Sequence, residues 1–261
     1  MLLTVDMGNT TITLGAFRED ELVFTARLST IRGKTADQYA IEFSQIFTLN
    51  EVAKSDFHAS IMSSVVPELT DVLSHTVTKV TGSEPIIVGP GIKTGINILI
   101  DNPAQLGADL LIGAVAAADK YPLPCLIVDV GTASKISVVT KDRGFKGVAI
   151  APGVRVSLNA LSSSASQLPN IPLSAPKKAI GTNTVESMQS GIVFGTAAMI
   201  DGMIERFREE LGEAASVVAT GGYSSRIVPH CREKIIHDEF LLLYGLKSVY
   251  NRNRRIAKGD A

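Results

Sequence analysis

An eight-residue motif occurs twice in this chain, and it limits the possible folds more than any other feature of the sequence. Residues 3–10 align without gaps on residues 126–133. In each copy an apolar run ends in Asp, any residue, Gly and a small polar residue, and the two acids are Asp6 and Asp129. Such a repeat predicts two duplicated half-domains that each begin with a strand and a tight turn. Chance similarity between two strand–turn units is the alternative.

The predicted secondary structure follows a similar order in both halves. From apolar runs and turn residues, strands are predicted over 2–5, 11–17, 21–28, 85–88, 126–129, 134–140, 145–150 and 216–219, together with a strand that ends near Ser63. From helical spacing and capping residues such as Thr35 with Gln38, helices are predicted over 35–47, 67–80, 102–118, 152–161, 183–211 and 239–250. The expected half-domains are therefore residues 1–120 and 121–261, each with mixed α/β structure.

Composition and charge exclude several classes of protein. The formal net charge is −1 at pH 7, which gives no reason to expect a nucleic acid or an anionic membrane as a partner. No apolar stretch approaches the ~18 residues of a membrane helix, and Asp6 interrupts the apolar N-terminus where a signal peptide would need a continuous run. Cys125 and Cys231 have no metal-ligand or redox spacing, so we expect free thiols and a cytoplasmic location.

The repeated motif is suited to binding phosphate. Glycine allows a tight turn and brings backbone N–H groups close to a ligand, and the side chains of Asn9, Thr10, Thr11 and Thr13 add hydrogen-bond donors. Asp6, at the end of its strand, could hold a hydrated magnesium ion that bridges the phosphates. A hairpin turn in which Asp and Asn cap their own backbone is the alternative. Two copies of the motif favour a nucleotide site.

A single carboxylate on an apolar helix is the second chemical signal. Asp109 is the only charged residue between Gln105 and Ala118, and a helix that is apolar nearly all round must be buried. Because an unpartnered buried carboxylate is costly, Asp109 is expected to face a polar cleft, where it could accept a proton from a substrate hydroxyl. The alternative is a structural Asp bonded to a nearby backbone N–H.

Three further glycine-bearing stretches follow predicted strands or precede predicted helices, namely 147–153, 181–184 and 220–222. Backbone N–H groups at such turns can approach a phosphate, a base or a ribose. Glycine is also common there for geometric reasons alone, so each stretch has both interpretations.

Together these motifs resemble those of type III pantothenate kinases, in the same order and over nearly the whole chain. The matching segments are Asp6-Met7-Gly8-Asn9-Thr10, Gly107-Ala108-Asp109, Asp129-Val130-Gly131-Thr132-Ala133, Pro152-Gly153, Gly181-Thr182-Asn183-Thr184 and Thr220-Gly221-Gly222. Such enzymes belong to the superfamily of acetate and sugar kinases, actin and the heat-shock chaperone ATPases. The resemblance implies two duplicated actin-like (ribonuclease H-like) half-domains with an ATP cleft between them.

The resemblance also implies an activity, phosphorylation of pantothenate to 4'-phosphopantothenate at the start of coenzyme A biosynthesis, and a homodimer. Asp109 would accept the hydroxyl proton, Asp6 would hold Mg2+, and Asp129 would bind an activating K+ or NH4+ ion. ATP would bind at Asp6, Met7, Gly8, Asn9, Thr10, Thr11, Ile12, Thr13 and Thr132. Pantothenate would bind at Gly107, Ala108, Asp109, Leu110 and Thr184.

Four positions depart from the family pattern. Leu110 stands where the family usually has Arg, Ile100 where it commonly has Tyr, Lys135 in place of a hydroxyl, and Val148 in place of Gly. The missing Arg removes the obvious partner of the pantothenate carboxylate, for which Lys135 is a candidate replacement. Two alternatives therefore stay open: a kinase of another small alcohol, and a nucleotide-binding regulator with weak or no kinase activity.

Overall fold

The structure, a computed structural model, describes residues 1–165 and 167–257. The strands are β1 Leu2–Met7, β2 Thr11–Arg18, β3 Glu21–Ser29, β4 Ala59–Ser64, β5 Ile86–Ile87, β6 Asn97–Ile98, β7 Cys125–Val130, β8 Ala133–Val139, β9 Gly144–Pro152, β10 Ser216–Thr220 and β11 Ile236–His237. The helices are α1 Ala36–Leu49, α2 Pro67–Thr81, α3 Ala108–Lys120, α4 Val154–Ser164, α5 Thr184–Leu211, α6 Ser224–Ile227 and α7 Leu241–Ala257.

The two sheets share one topology. The first has the order β3-β2-β1-β4-β5, and the second contains β9-β8-β7-β10-β11 with β6 added beside β9. In each, the first three strands form an antiparallel meander and the next two add in parallel to the first strand. The prediction of two duplicated halves is thereby confirmed, since matching connectivity extends far beyond the repeated motif.

Contacts divide the chain into two compact units. The first contains Met1–Gly95, Asn102–Ala116 and the residues from Leu242 onward, and the second contains Ile96–Asp101 and Ala117–Leu241. The predicted boundary after residue 120 lies close to the change of unit after Ala116. The C-terminal helix α7, however, is grouped with the first unit and not with the half-domain that precedes it in sequence.

The core of the first unit lies between its sheet and two helices. The predicted capping box is present at the start of α1, where Thr35 and Gln38 each satisfy a backbone N–H of the other. The buried residues of α1 recur every four positions, and those of α2 form a similar stripe, so both helices turn one apolar face to the sheet. These residues are Tyr39, Phe43, Phe47, Leu69, Leu73, Val77 and Val80.

Close backbone contact joins α7 to α3 within the first unit. A Cβ atom placed on Gly245 would overlap the carbonyl oxygen of Ile112. Around this contact the ring of Tyr244 meets Phe17 edge-on with 5.4 Å between centroids, and Lys247 pairs with Asp20. The absence of a side chain at Gly245 therefore sets how closely the two helices approach.

The start of α3 differs from the prediction. Asn102 does act as a cap, since its side chain accepts a hydrogen bond from the Ala104 N–H at 3.1 Å, but the helix that it caps is a single 3-10 turn over Pro103–Gln105. The backbone becomes extended at Leu106, and the α-helix begins at Ala108. Asp109 thus lies in the first turn of α3 and not in its middle.

Other differences from the predicted elements are smaller. Helix α4 begins at Val154 because Pro152 still belongs to β9, and the short elements β6, α6 and β11 were not predicted. Within the described part of the chain, no helix combines the length and apolarity needed to cross a bilayer.

Candidate active site

The first loop, residues 8–10 between β1 and β2, is held by its own backbone and by Thr30. The Gly8 N–H donates to the Thr11 carbonyl at 3.0 Å, and the Thr30 hydroxyl donates to the Gly8 carbonyl at 2.8 Å. The Thr30 N–H in turn donates to the Thr10 carbonyl at 3.0 Å. Asn9 and Thr10 are exposed at the tip, so the loop presents polar side chains on a fixed backbone.

Asp6 is buried at the end of β1 and has a fixed orientation. The Ser63 hydroxyl donates to Asp6 Oδ1 at 2.7 Å, because β1 and β4 are parallel and these two residues are paired in register. The neighbouring side chains of Met7 and Ile12 are fully buried in the core. Of the predicted ATP-binding residues, these two could therefore contact a ligand through their backbone only.

A short chain of contacts brings the first loop and the start of α3 to the same edge of the first sheet. The Val65 N–H donates to the Met7 carbonyl at 3.0 Å. A Cβ placed on Gly107 would lie 3.9 Å from Val65 Cγ1 and 2.6 Å from Asp109 Oδ1. The structure thus brings together two sequence motifs, the one at Asp6 and the one at Asp109, through the residue that follows β4.

Asp109 itself is half-buried, and its Oδ1 accepts a hydrogen bond from the Leu110 N–H at 2.8 Å. The prediction that its helix is buried is confirmed, since every residue from Leu111 to Ala117 is buried. The bond to Leu110 is the type of contact that a structural Asp would make. The Asp109 carboxylate also lies beside Gly107, at the edge of the sheet that carries the first loop.

The second loop, Gly131 and Thr132 between β7 and β8, is surrounded by two of the predicted glycine stretches. The Tyr223 N–H donates to the Val130 carbonyl at 3.0 Å, and Gly221 adopts a φ of +96° against Asp129 and Val130. A Cβ at Gly153 would overlap the backbone oxygens of Gly131 and Thr132. In these stretches glycine allows close packing of three segments around one loop.

Asp129 forms an ion pair within its own hairpin. Lys135 Nζ lies 2.7 Å from Asp129 Oδ2, and the two side chains are only 14% and 17% exposed. The loop between β7 and β8 is one residue shorter than the loop between β1 and β2, so Asp129 is paired in register with Lys135 while Asp6 is paired with Thr13. Lys135, predicted as a partner for the pantothenate carboxylate, therefore has a carboxylate partner inside the protein.

The third glycine stretch is a helix cap. The Asn183 side chain accepts the Glu186 N–H at 3.0 Å, and a Cβ at Gly181 would lie 2.5 Å from the Ser187 nitrogen. Thr184 is the exposed first residue of α5, and Thr132 is exposed in the second loop. The pantothenate role of Thr184 and the nucleotide role of Thr132 stay predictions.

Sequence reasoning missed two hydroxyl residues of the first unit, Ser63 and Thr30. Ser63 lies near the end of β4, which pairs with β1, and Thr30 directly follows β3, which pairs with β2. The pair Ser63-Ser64 at the end of β4 resembles the polar ends of the other site strands. Small polar residues at the end of a parallel neighbour of β1 are the signal that could have identified Ser63. Thr30 carried no comparable signal, because its contacts with the loop depend on the register of β3 against β2.

The two cysteines lie outside the loops and the helix start described above. Cys125 and Cys231 are free, as predicted. Burial raises the pKa of the Cys125 thiol to about 11 and that of the Cys231 thiol to about 12.

Among the described residues, no group of three or more His, Cys, Asp or Glu side chains is arranged to hold a metal ion. Any metal at Asp6 would therefore take most of its ligands from phosphate and water.

The repeated sheet and its two Asp-x-Gly loops define the actin-like fold of ATPases and sugar kinases. An activator of 2-hydroxyisocaproyl-CoA dehydratase from Clostridium difficile, solved with ADPNP, has a TM-score of 0.56 at 13% identity over 98% of this chain and 97% of its own. The ROK hexokinase of Thermus thermophilus has a TM-score of 0.52 at 12% identity, covering 97% of this chain and 99% of its own. The predicted fold class is confirmed.

Sequence comparison gives the particular family. The model of the type III pantothenate kinase family matches residues 2–206. A type III pantothenate kinase of Citrifermentans bemidjiense is 43% identical over 254 residues, 97% of this chain and 100% of that protein. One from Exiguobacterium sp. (strain ATCC BAA-1283 / AT1b) is 41% identical over 98% of this chain and 100% of its own length. The chain belongs to the type III pantothenate kinase family.

Proposed function

We propose that this protein transfers the γ-phosphoryl group of ATP to the primary hydroxyl of pantothenate, giving 4'-phosphopantothenate and ADP. Family membership over nearly the full length supports the reaction. The single observation that carries it into the structure is the edge of the first sheet, where the loop after Asp6 and the carboxylate of Asp109 lie together. A phosphate site and a proton acceptor are the two parts that phosphoryl transfer to an alcohol needs.

The first loop is proposed to hold the ATP phosphates. Its backbone is fixed by Gly8 and Thr30, so N–H groups and the exposed side chains of Asn9 and Thr10 need little reordering on binding. Asp6 fits a magnesium ion that is bound mainly through phosphate, because Ser63 orients one carboxylate oxygen and, among the described residues, no group of three or more His, Cys, Asp or Glu side chains could hold a metal ion. Magnesium, when bound, neutralises charge that develops on the phosphates.

Asp109 is proposed to receive the proton of the pantothenate hydroxyl as that oxygen bonds to phosphorus. Because Gly107 has no side chain, the Asp109 carboxylate can lie directly against the backbone before α3. A Cβ at position 107 would displace the carboxylate. The Leu110 N–H holds Oδ1 in one orientation. Positioning of this kind supplies much of the rate enhancement in phosphoryl transfer, where the protein itself does little covalent chemistry.

Two further parts of the proposal rest on family membership. These are a homodimer and a cytoplasmic location. The free thiols of Cys125 and Cys231 are compatible with a reducing compartment. The K+ or NH4+ ion that the resemblance implies at Asp129 is not part of the proposal, because it would have to share the carboxylate with Lys135.

Purified protein assayed for pantothenate-dependent ADP formation, with ATP and magnesium, tests the reaction. We expect turnover that saturates with pantothenate, and phosphopantothenate as the product by mass spectrometry. Nucleotide binding without turnover on pantothenate would reject the proposal in favour of a regulatory role. Turnover on a related alcohol in place of pantothenate would instead favour a different acceptor.

Leu110→Arg should improve pantothenate binding. Leu110 follows the proposed proton acceptor in the first turn of α3 and is half-buried, and an Arg there could form a charge-assisted pair with the pantothenate carboxylate. We expect the KM for pantothenate to fall roughly tenfold, which corresponds to about 1.4 kcal/mol. Steady-state kinetics would measure the effect, with thermal melts as a control for the strain of a longer side chain. An unchanged KM in a folded variant would show that position 110 does not face the carboxylate.

A further inference from the structure

We propose that the Lys135 ammonium is a built-in substitute for the monovalent cation at Asp129, so that this protein does not need potassium or ammonium. Lys135 Nζ lies 2.7 Å from Asp129 Oδ2, and both side chains are largely shielded from solvent. A lysine ammonium carries the same single charge as K+ or NH4+ and is equally compact. The inference rests on the proposed function, which supplies the reaction whose salt dependence is in question.

Both oxygens of the Asp129 carboxylate have close neighbours within the protein. Two glycines lie next to Oδ1: a Cβ at Gly131 would lie 3.2 Å from it, and a Cβ at Gly221 would overlap it. Lys135 occupies the side of Oδ2. A second cation on this carboxylate would stand close to the ammonium, where like charges repel strongly because water is largely excluded.

The first loop provides an internal comparison for this arrangement. Asp6 and Asp129 occupy the same place in the two sheets, at the end of the strand that starts each meander. The residue paired in register with Asp6 is Thr13, an uncharged hydroxyl, whereas the residue paired with Asp129 is Lys135. Of these two register positions, only the one opposite Asp129 carries a positive side chain. Asp129 is also the residue at which the resemblance implies a monovalent ion.

The salt dependence of the wild-type protein is the first test. Pantothenate-dependent ADP formation would be measured with magnesium in tetramethylammonium, sodium, potassium and ammonium chlorides at equal ionic strength. We expect rates that agree within about twofold, because a bound cation adds nothing that the ammonium lacks. Activation by K+ or NH4+ of roughly tenfold or more would overturn the inference.

Removal of the ammonium is the second test. Lys135→Ser restores a hydroxyl at this position, and we expect its rate in tetramethylammonium to fall roughly tenfold or more and to recover with saturating K+ or NH4+. Thermal melts give a readout independent of turnover: K+ should raise the melting temperature of the variant selectively over tetramethylammonium, and should leave that of the wild type unchanged. Lys135→Arg keeps the charge and should stay independent of the salt.

A matched control is Lys141→Ser, which removes another lysine of the second unit from an ion pair with Glu213. Lys141 is 67% exposed, so its loss should create no specific response to K+. The proposal that Lys135 replaces the cation would be contradicted if the folded Lys135→Ser protein showed no change of rate or melting temperature with K+ or NH4+. If the wild type turns over no pantothenate in any salt, the proposed function fails, and the melts alone decide the role of Lys135.

Discussion

Asp109→Asn should lower pantothenate-dependent ADP formation by roughly 100-fold or more, the loss expected when a general base is removed. The amide keeps the size of the carboxylate and can still accept the Leu110 N–H through its oxygen, so the fold and the first loop should stay intact. Nucleotide binding, measured by calorimetry with ATP and magnesium, should change little. Turnover would be followed by single-turnover kinetics, which separate the chemical step from product release.

A matched control is Asp71→Asn on α2 of the same unit. Asp71 is exposed and is not among the buried residues of α2. The Asp71→Asn variant should therefore keep wild-type kinetics. Wild-type turnover in Asp109→Asn would mean that the role of Asp109 is structural. The structural alternative would then be correct and the mechanism wrong.

Gly245→Ala should destabilise the protein despite the better helix propensity of alanine. The added Cβ would overlap the Ile112 carbonyl, and neither backbone can move without disturbing the buried contacts of α3 and α7. Overpacking of this kind costs about 1–3 kcal/mol, which we expect as a melting temperature lower by several degrees. Differential scanning calorimetry would measure it.

Gly195→Ala is the matched control for this substitution. Gly195 lies in the middle of α5, and a Cβ there would meet no atom within 4 Å. Alanine should therefore be neutral, or stabilise the helix by up to about 1 kcal/mol. Equal melting temperatures of Gly245→Ala and the wild type would show that α3 and α7 separate at little cost.

The elements that the sequence predicted well are those fixed by local signals. The meander β1–β3 is bounded by turn residues, and α1 by a reciprocal cap, so neither depends on distant contacts. Helix α3 shows the limit of such signals. Asn102 and Pro103 start a helical turn as expected, but the extended backbone at Leu106 ends it and moves the true start to Ala108.

The candidate site was predictable in its residue types and less so in its pairings. Asp6, Asp109 and Asp129 stood out because each acid follows or interrupts an apolar run. The partner of Asp129, Lys135, could not be predicted in the same way. The second loop has one residue fewer, and this changes the register and brings Lys135 opposite the carboxylate. Likewise, the grouping of α7 with the first unit depends on packing at Gly245, which no local pattern reveals.

The path of the chain between its two units has a consequence for evolution and for engineering. The backbone passes from one unit to the other four times, after Gly95, Asp101, Ala116 and Leu241. Strand β6 of the second sheet is thus encoded among residues of the first unit, and α7 of the first unit is encoded after the second. A cut at the midpoint of this chain would yield two fragments, each of which lacks a segment that the other carries. Two such fragments would therefore have to associate, and each would have to take up the segment that the other carries, before either unit is complete.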